Sequence, residues 1–391
     1  MATQPQILDA LLDDPTMPNY GAPSIMFVRG KGTELWDTNE KRYLDFVGGL
    51  AVQALGHANP EVAQAMAEQA VKLVQVSNLW ATEHAAPVAR EIDRHLGGGG
   101  RVFFCNSGAE ANEFAFRLAR KWAGYGRYGV ITTFGSFHGR TLAALAACGQ
   151  PNKHEPFAPM PEGFRHVARD DVAALESAID PTTAAIHLEP VQGEGGVWPA
   201  SQEFMTAARN LADERQMLMM VDEVQSGLCR TGKWFAHQHY NVHPDVVCLA
   251  KALGNGFPIA AVWAKRSVAE SLDPGDHGST YGGNPLATAV ARKVLEIMDR
   301  DNMAGRAAAL GVTMTAAFSE LPRVVDIRGM GAMLAVEFDG EIAKDVASRA
   351  ADAGLLVNPI TPTALRLTPP LTTSDAEVEE AVAILRGVLS S

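Results

Sequence analysis

Asp245-Val-Val-Cys-Leu-Ala-Lys251-Ala-Leu-Gly254 and Met217-Leu-Met-Met-Val-Asp222-Glu-Val-Gln225 decide how this chain is read. Each is an apolar run closed by a charged residue. That pattern belongs to a buried parallel strand that hands a functional group to the carboxyl edge of its sheet, where ligands of open α/β sheets bind. An amine and a carboxylate delivered there together suit pyridoxal phosphate. The lysine would hold the cofactor as a Schiff base, and the carboxylate would keep the pyridine nitrogen protonated so that the ring can accept electrons. Taken singly, Lys251 also reads as a solvated loop residue and Asp222 as a helix cap. Their combination with Gln225, and with the Gly254-Asn-Gly256 turn after Lys251, favours the cofactor.

Further runs of the same kind lie on either side: Arg101 to Cys105, Gly129 to Thr133, Ala184 to Leu188 and Ile259 to Trp263. Between them the helical period returns, so the expected fold class is α/β, with a mainly parallel central sheet flanked by helices. Residues 46–285 are expected to form this large cofactor-binding domain. From 286 to 391 the pattern changes to a long helical stretch through Met314, strands over Val324 to Phe338, a helix from Glu341, short strands at Leu355 and Leu365, and a last helix. That is a smaller α+β domain. Its last helix opens with Ser374-Asp-Ala-Glu377, the spacing of a capping box. Residues 1–45 have too little continuous apolar sequence to fold alone and read as an N-terminal arm belonging with the small domain.

The formal charge of −12 opposes a polyphosphate partner, so no nucleic acid is expected. No apolar stretch approaches the roughly 18–20 residues that cross a bilayer, and the first residues carry no secretory pattern, which gives the expectation of a cytoplasmic protein without membrane contact. The four cysteines form no C-x-x-C pair and read as reduced core thiols. His237, His239 and His243 lack cysteine or carboxylate companions at ligand spacing, so no metal site is expected.

Three further segments carry chemistry. Asn106-Ser107-Gly108-Ala109-Glu110 ends a strand and opens a helix whose first amides and dipole favour a phosphate; Gly108 would let it approach, and Ser107 would either donate to it or cap the helix. Phe137-His138-Gly-Arg140 follows another strand end, where the aromatic can stack on a planar ring and the arginine can fork onto a carboxylate. Glu189-Pro-Val-Gln-Gly-Glu194 brings two acids among glycines to the same edge.

With these blocks in view, the chain resembles the class III, or ornithine-type, aminotransferases over nearly its whole length. Asn106 to Asn112, Phe137 to Thr141, Asp222 to Gln225, Gly278 to Pro285 and Arg366 to Leu371 carry the resemblance. It implies a pyridoxal-phosphate transferase of fold type I, a homodimer with a shared site. Lys251 and Asp222 would be catalytic. Ser107, Gly108, Ala109, Phe137, His138, Glu189, Glu223, Val224 and Gln225 would join them around the cofactor, with Phe137 on the ring, Gln225 near its phenolic oxygen, and Thr280 reaching the phosphate from the second subunit. Tyr20, Arg140, Glu194, Ser279 and Arg366 would bind the amine donor and 2-oxoglutarate. Arg140 would hold the distal carboxylate of either substrate, while Glu194 masks Arg366 until glutamate or 2-oxoglutarate displaces it.

Within the family, His277 to Pro285 and the compact length resemble members acting on N2-acetylornithine. The implied reaction moves its terminal amino group to 2-oxoglutarate, giving N-acetylglutamate 5-semialdehyde and glutamate in arginine biosynthesis. Succinylornithine, N-succinyldiaminopimelate, ornithine and 4-aminobutyrate remain alternative donors, and a non-catalytic cofactor-binding regulator is the alternative of another class. Two departures stand out. Ala109 replaces a threonine found in many members, and Leu50 replaces the tyrosine of ornithine-using members, which fits an acylated donor.

Overall fold

The computed structural model describes residues 16, 17, 19, 20 and 23–390. Seven strands build the central sheet: β1 (Gly100–Cys105), β2 (Gly129–Thr133), β3 (Phe164–Val167), β4 (Thr183–Leu188), β5 (Leu218–Asp222), β6 (Val246–Leu249) and β7 (Ala260–Lys265). Their order across the sheet is β1-β7-β6-β5-β4-β2-β3. Parallel pairing joins β6, β5, β4, β2 and β3, whereas β7 runs antiparallel to both β6 and β1. Every residue of β2, β4, β5 and β6 is buried, as a sheet covered on both faces requires. Strand β3, absent from the sequence expectation, reads Phe-Arg-His-Val and lies at the sheet edge, so it needs no unbroken apolar run.

After β1 the chain turns into helix α1 (Gly108–Ala123). Ser107 caps it, accepting from the Glu110 amide at 3.2 Å, and its buried face of Ala111, Phe114, Ala115, Leu118 and Ala119 packs on the sheet. The carboxyl ends of β1, β4 and β5 thereby lead directly into Asn106, Glu189 and Glu223, and that of β6 leads through Ala250 into Lys251.

Beyond Asn284 the long helix expected through Met314 is two helices, Pro285–Arg300 and Met303–Ser319. Asn302 breaks them. Its backbone is left-handed (φ 47°), a conformation Asn tolerates, and its side chain caps the second helix through the Gly305 amide. An antiparallel sheet follows, formed by Val324–Met330, Met333–Phe338, Ala364–Leu367 and Asn358–Pro359. The closing helix, Asp375–Ser390, opens on the expected reciprocal pair: Ser374 Oγ accepts from the Glu377 amide and Glu377 Oε2 accepts from the Ser374 amide.

The early chain forms an antiparallel ribbon, Phe27–Lys31, Glu34–Asp37 and Arg42–Asp45. Leu355–Leu356 adds to it in parallel, with Leu355 opposite Leu44. The ribbon therefore takes its fourth strand from near the far end of the chain. No described helix is long and apolar enough to cross a membrane.

Candidate active site

At the carboxyl edge of the central sheet lies a cavity of about 430 Å³. Lys251, Asp222, Gln225, Val224, Phe137, His138, Arg140, Glu189 and Glu194 line it, together with Ser107, Gly108 and Ala109 of the α1 amino terminus. Register explains the convergence: Asp222 sits opposite Cys248 in the β5–β6 pair, three residues before Lys251.

Asp222 is held by three partners. Its Oδ2 meets His138 Nδ1 at 2.8 Å and accepts from Asn112 Nδ2 at 2.7 Å, while Oδ1 accepts from the Val224 amide at 3.0 Å. Asn112 also donates to the His138 carbonyl, and its own oxygen meets His187 Nε2 at 3.0 Å. Burial resists ionisation of Asp222, but the His138 hydrogen bond, the charges of His138 and His187, and the Val224 amide outweigh it and hold the carboxyl below its ordinary range. Asn112 and His187 were not singled out from the sequence. The available signals were an asparagine on the apolar face of α1 and a histidine inside the apolar run Thr183–Leu188.

Lys251 begins a short 3-10 turn directly after β6, with a left-handed backbone (φ 43°) that non-glycine residues adopt at a cost. Burial, assisted by Arg366, lowers its ammonium pKa to about 8 against the opposing pull of Glu194, Asp222 and Glu189. A substantial neutral fraction near neutrality is what a nucleophilic lysine requires. Glu189 accepts from the Phe137 and Gly193 amides, and burial pushes its carboxyl up to about 7.

The donor set fits pyridoxal phosphate. Gly108 and Ala109 stand in the first turn of α1, where amides have no partner within the helix. A Cβ on Gly108 would come 2.8 Å from Val224 Cγ1, so glycine keeps that floor open. The buried carboxylate of Asp222, the cavity-facing lysine and the Phe137 ring complete a site for an anionic, basic aromatic aldehyde.

Arg366 emerges from the C-terminal sheet, almost fully buried at 1% exposure. Its guanidinium donates to Glu194 at 2.8 Å, to Gln225 at 3.1 Å and to Asn358 at 2.9 Å. Burial disfavours the Glu194 charge, yet Arg366 more than offsets it and keeps that carboxyl below its usual range. Asn358 faces Arg366 across the pairing of Asn358–Pro359 with Ala364–Leu367, a proximity that only the sheet register reveals. Arg140 lies 5.4 Å from the Phe137 ring centroid. Its turn is fastened by Glu113, which accepts from Thr141 Oγ1 and from the Ala143 and Ala144 amides.

Other residues singled out from the sequence lie elsewhere. The buried Glu223 carboxylate is engaged by Ser226, the Ala236 and His237 amides and the His237 ring, and it does not line the cavity. Ser279 holds Asn106 and the Gly282 amide. Thr280 and Tyr20 are exposed and lie outside the cavity lining of this chain. Leu50 is also exposed and outside the lining, where Val52 appears. All four cysteines are free and buried.

The family model for class-III aminotransferases matches residues 16–389. Acetylornithine aminotransferase of Caldanaerobacter subterraneus subsp. tengcongensis is 44% identical over 382 residues, covering 96% of this chain and 97% of that protein. A crystal structure of ornithine aminotransferase from Toxoplasma gondii ME49 superimposes with a TM-score of 0.94 at 34% identity, covering 100% of this chain and 96% of the other. A second structure of the ornithine aminotransferase from Toxoplasma gondii, described as having partial occupancy of PLP at its active site, gives a TM-score of 0.92 at 34% identity, covering 99% and 94%.

Proposed function

The chain belongs to the class III aminotransferases, pyridoxal-phosphate enzymes of fold type I, and from that premise we propose that it transfers the terminal amino group of N2-acetylornithine to 2-oxoglutarate. The products are N-acetylglutamate 5-semialdehyde and glutamate. The donor is supported by relatives named acetylornithine aminotransferase at 42–44% identity across 95–96% of the chain.

When bound, pyridoxal phosphate supplies an aldehyde that exchanges with amines and a ring that accepts electrons. Lys251 holds it and moves a proton at the substrate carbon, a task its lowered pKa suits. Asp222, Gln225, Phe137, His138, Glu189 and Val224 bind and orient the ring, and Ser107, Gly108, Ala109 and a partner's Thr280 hold the phosphate.

One observation carries the dual-substrate reading: a buried arginine, Arg366, is covered by a single carboxylate, Glu194, which is itself only partly buried. The reacting carbon of N-acetylornithine bears no carboxylate, so that half-reaction needs Arg366 masked. Glutamate brings its own carboxylate and displaces Glu194. Arg140 receives the distal carboxylate of both. The neutral isostere Glu194→Gln removes the mask. It should lower the N-acetylornithine half-reaction and preserve or improve the glutamate half-reaction, with a relative change of roughly one to two decades. Rapid-mixing measurement of each half-reaction tests this, and equal losses in both would leave the pair a purely structural tie. A panel of N-acetylornithine, N-succinylornithine, N-succinyldiaminopimelate, ornithine and 4-aminobutyrate ranked by kcat/KM tests the donor.

The site is completed by a second copy of the chain. Leu79, Trp80 and Tyr281 are exposed large apolar side chains, and Gln75 and Asn78 hold the Ser279–Gly282 backbone beside them.

A further inference from the structure

The loop that carries Glu194 leads, after three residues, into Trp198, whose indole is contacted by two cations. Arg169 stands 4.3 Å from the ring and Arg328 stands 3.9 Å from it. An indole face attracts a guanidinium, and a partly desolvated pair of such contacts holds a ring more firmly than packing alone. The two arginines come from different parts of the fold. Arg169 follows β3, whereas Arg328 belongs to the strand Val324–Met330 of the C-terminal sheet.

Arg328 also reaches back into the loop. Its Nε donates to the Gly196 carbonyl at 2.8 Å, while its NH1 is fixed by Glu337 at 2.7 Å. Gly196 has φ 120°, and a Cβ there would approach Trp198 Nε1 to 2.8 Å, so the loop closes tightly over the indole. On the other side of Glu194 the short pairing of Val191–Gln192 with Trp198–Pro199 closes the loop base. Between these anchors lie Gly193, Glu194 and Gly195. Gly193 is itself held, its amide by Glu189 and its carbonyl by the Gly196 and Val197 amides, so the backbone under Glu194 is braced on both sides.

We propose that Trp198, gripped by Arg169 and Arg328, is a positioning residue that sets how Arg366 is shared between Glu194 and an incoming substrate carboxylate. This rests on the carboxylate-switch reading above. A firm grip keeps the Glu194 carboxylate returning to Arg366 after each displacement. Loosening it lets Glu194 wander, which unmasks Arg366 and favours the substrate that brings its own carboxylate.

The test uses the cofactor-loaded enzyme and rapid mixing with N-acetylornithine and with glutamate separately. Trp198→Leu is expected to shift the ratio of the two half-reactions toward glutamate by about three- to tenfold, and Trp198→Phe, which keeps an aromatic face, is expected to restore most of the wild-type ratio. Arg169→Met loosens the same grip without altering the indole and is expected to shift the ratio in the same direction, so the idea stays testable if Trp198→Leu does not fold. Glu194→Gln is measured in parallel. If it moves the ratio while Trp198→Leu and Arg169→Met do not, the clamp is rejected and the switch survives. An unmoved ratio in Glu194→Gln rejects both.

Discussion

At Lys251 a left-handed backbone and a lowered pKa occur in one residue, and the pKa carries a prediction of its own. Because burial disfavours the ammonium, the neutral amine accumulates as pH rises through about 8, whereas an exposed lysine needs about 10.4. In cofactor-free protein, the rate of covalent attachment of pyridoxal phosphate should rise with pH and level off above about 8; a rise continuing to pH 10 would show an ordinary lysine. Lys251→Ala should remove the borohydride-reducible linkage and cut turnover by about 10³-fold or more. For Asp222 the argument is its wiring. Asp222→Asn keeps the shape but removes the charge that His138 and Asn112 surround, so attachment through Lys251 should persist while the rate of proton removal falls by about two decades. Near-normal single-turnover rates with N-acetylornithine would exclude that role. The same substitution leaves buried polar groups imperfectly paired and should cost about 1–3 kcal/mol in thermal or denaturant unfolding.

Strands and helices set where those residues meet, and here the sequence was uneven. Asp222 and Lys251 were legible because β5 and β6 are covered on both faces, which forces unbroken apolar runs whose last residues stand out. The direction of β7 was not, since an apolar run looks the same in a parallel or antiparallel strand. Nor was β3, whose edge position relaxes its composition. The break at Asn302 carries no proline or glycine and depends on one residue turning left-handed. Asn112 and His187 stayed hidden because each is satisfied by a partner far away in sequence, and Asn358 because only the register of its short strand sets it opposite Arg366, eight residues on. Gly108 allows a test at this scale. Gly108→Ala pushes a methyl against Val224 and should destabilise the protein by about 1–3 kcal/mol and weaken cofactor retention. Adding Val224→Ala makes room and should recover much of the loss. If the double variant is no better by melting temperature and cofactor content, the packing of α1 on the turn after β5 is not what requires glycine.

For the molecule as a whole, the exposed apolar cluster around Trp80 and Tyr281 predicts association of two copies. Trp80→Asp should shift sedimentation toward the single-chain species and lower cofactor content in proportion, because Thr280 then has no second chain to serve; a monomer retaining full cofactor and activity would overturn the shared site. The Arg366 contacts tie the C-terminal sheet to Glu194 and Gln225 of the other sheet's edge, so the proposed exchange of Glu194 for a substrate carboxylate would be an event between sheets. The parallel pairing of Leu44 with Leu355 has a different bearing, on the birth of the protein. A ribosome delivers the Phe27–Asp45 ribbon early, but the strand that seals its edge is among the last to emerge. Until then the ribbon has an unpaired edge, which is where a nascent chain is most open to wrong partners. Pairing so distant in the chain also slows the final closure. The newly made enzyme should therefore depend on chaperone cover until Leu355 and Leu356 have left the ribosome and paired.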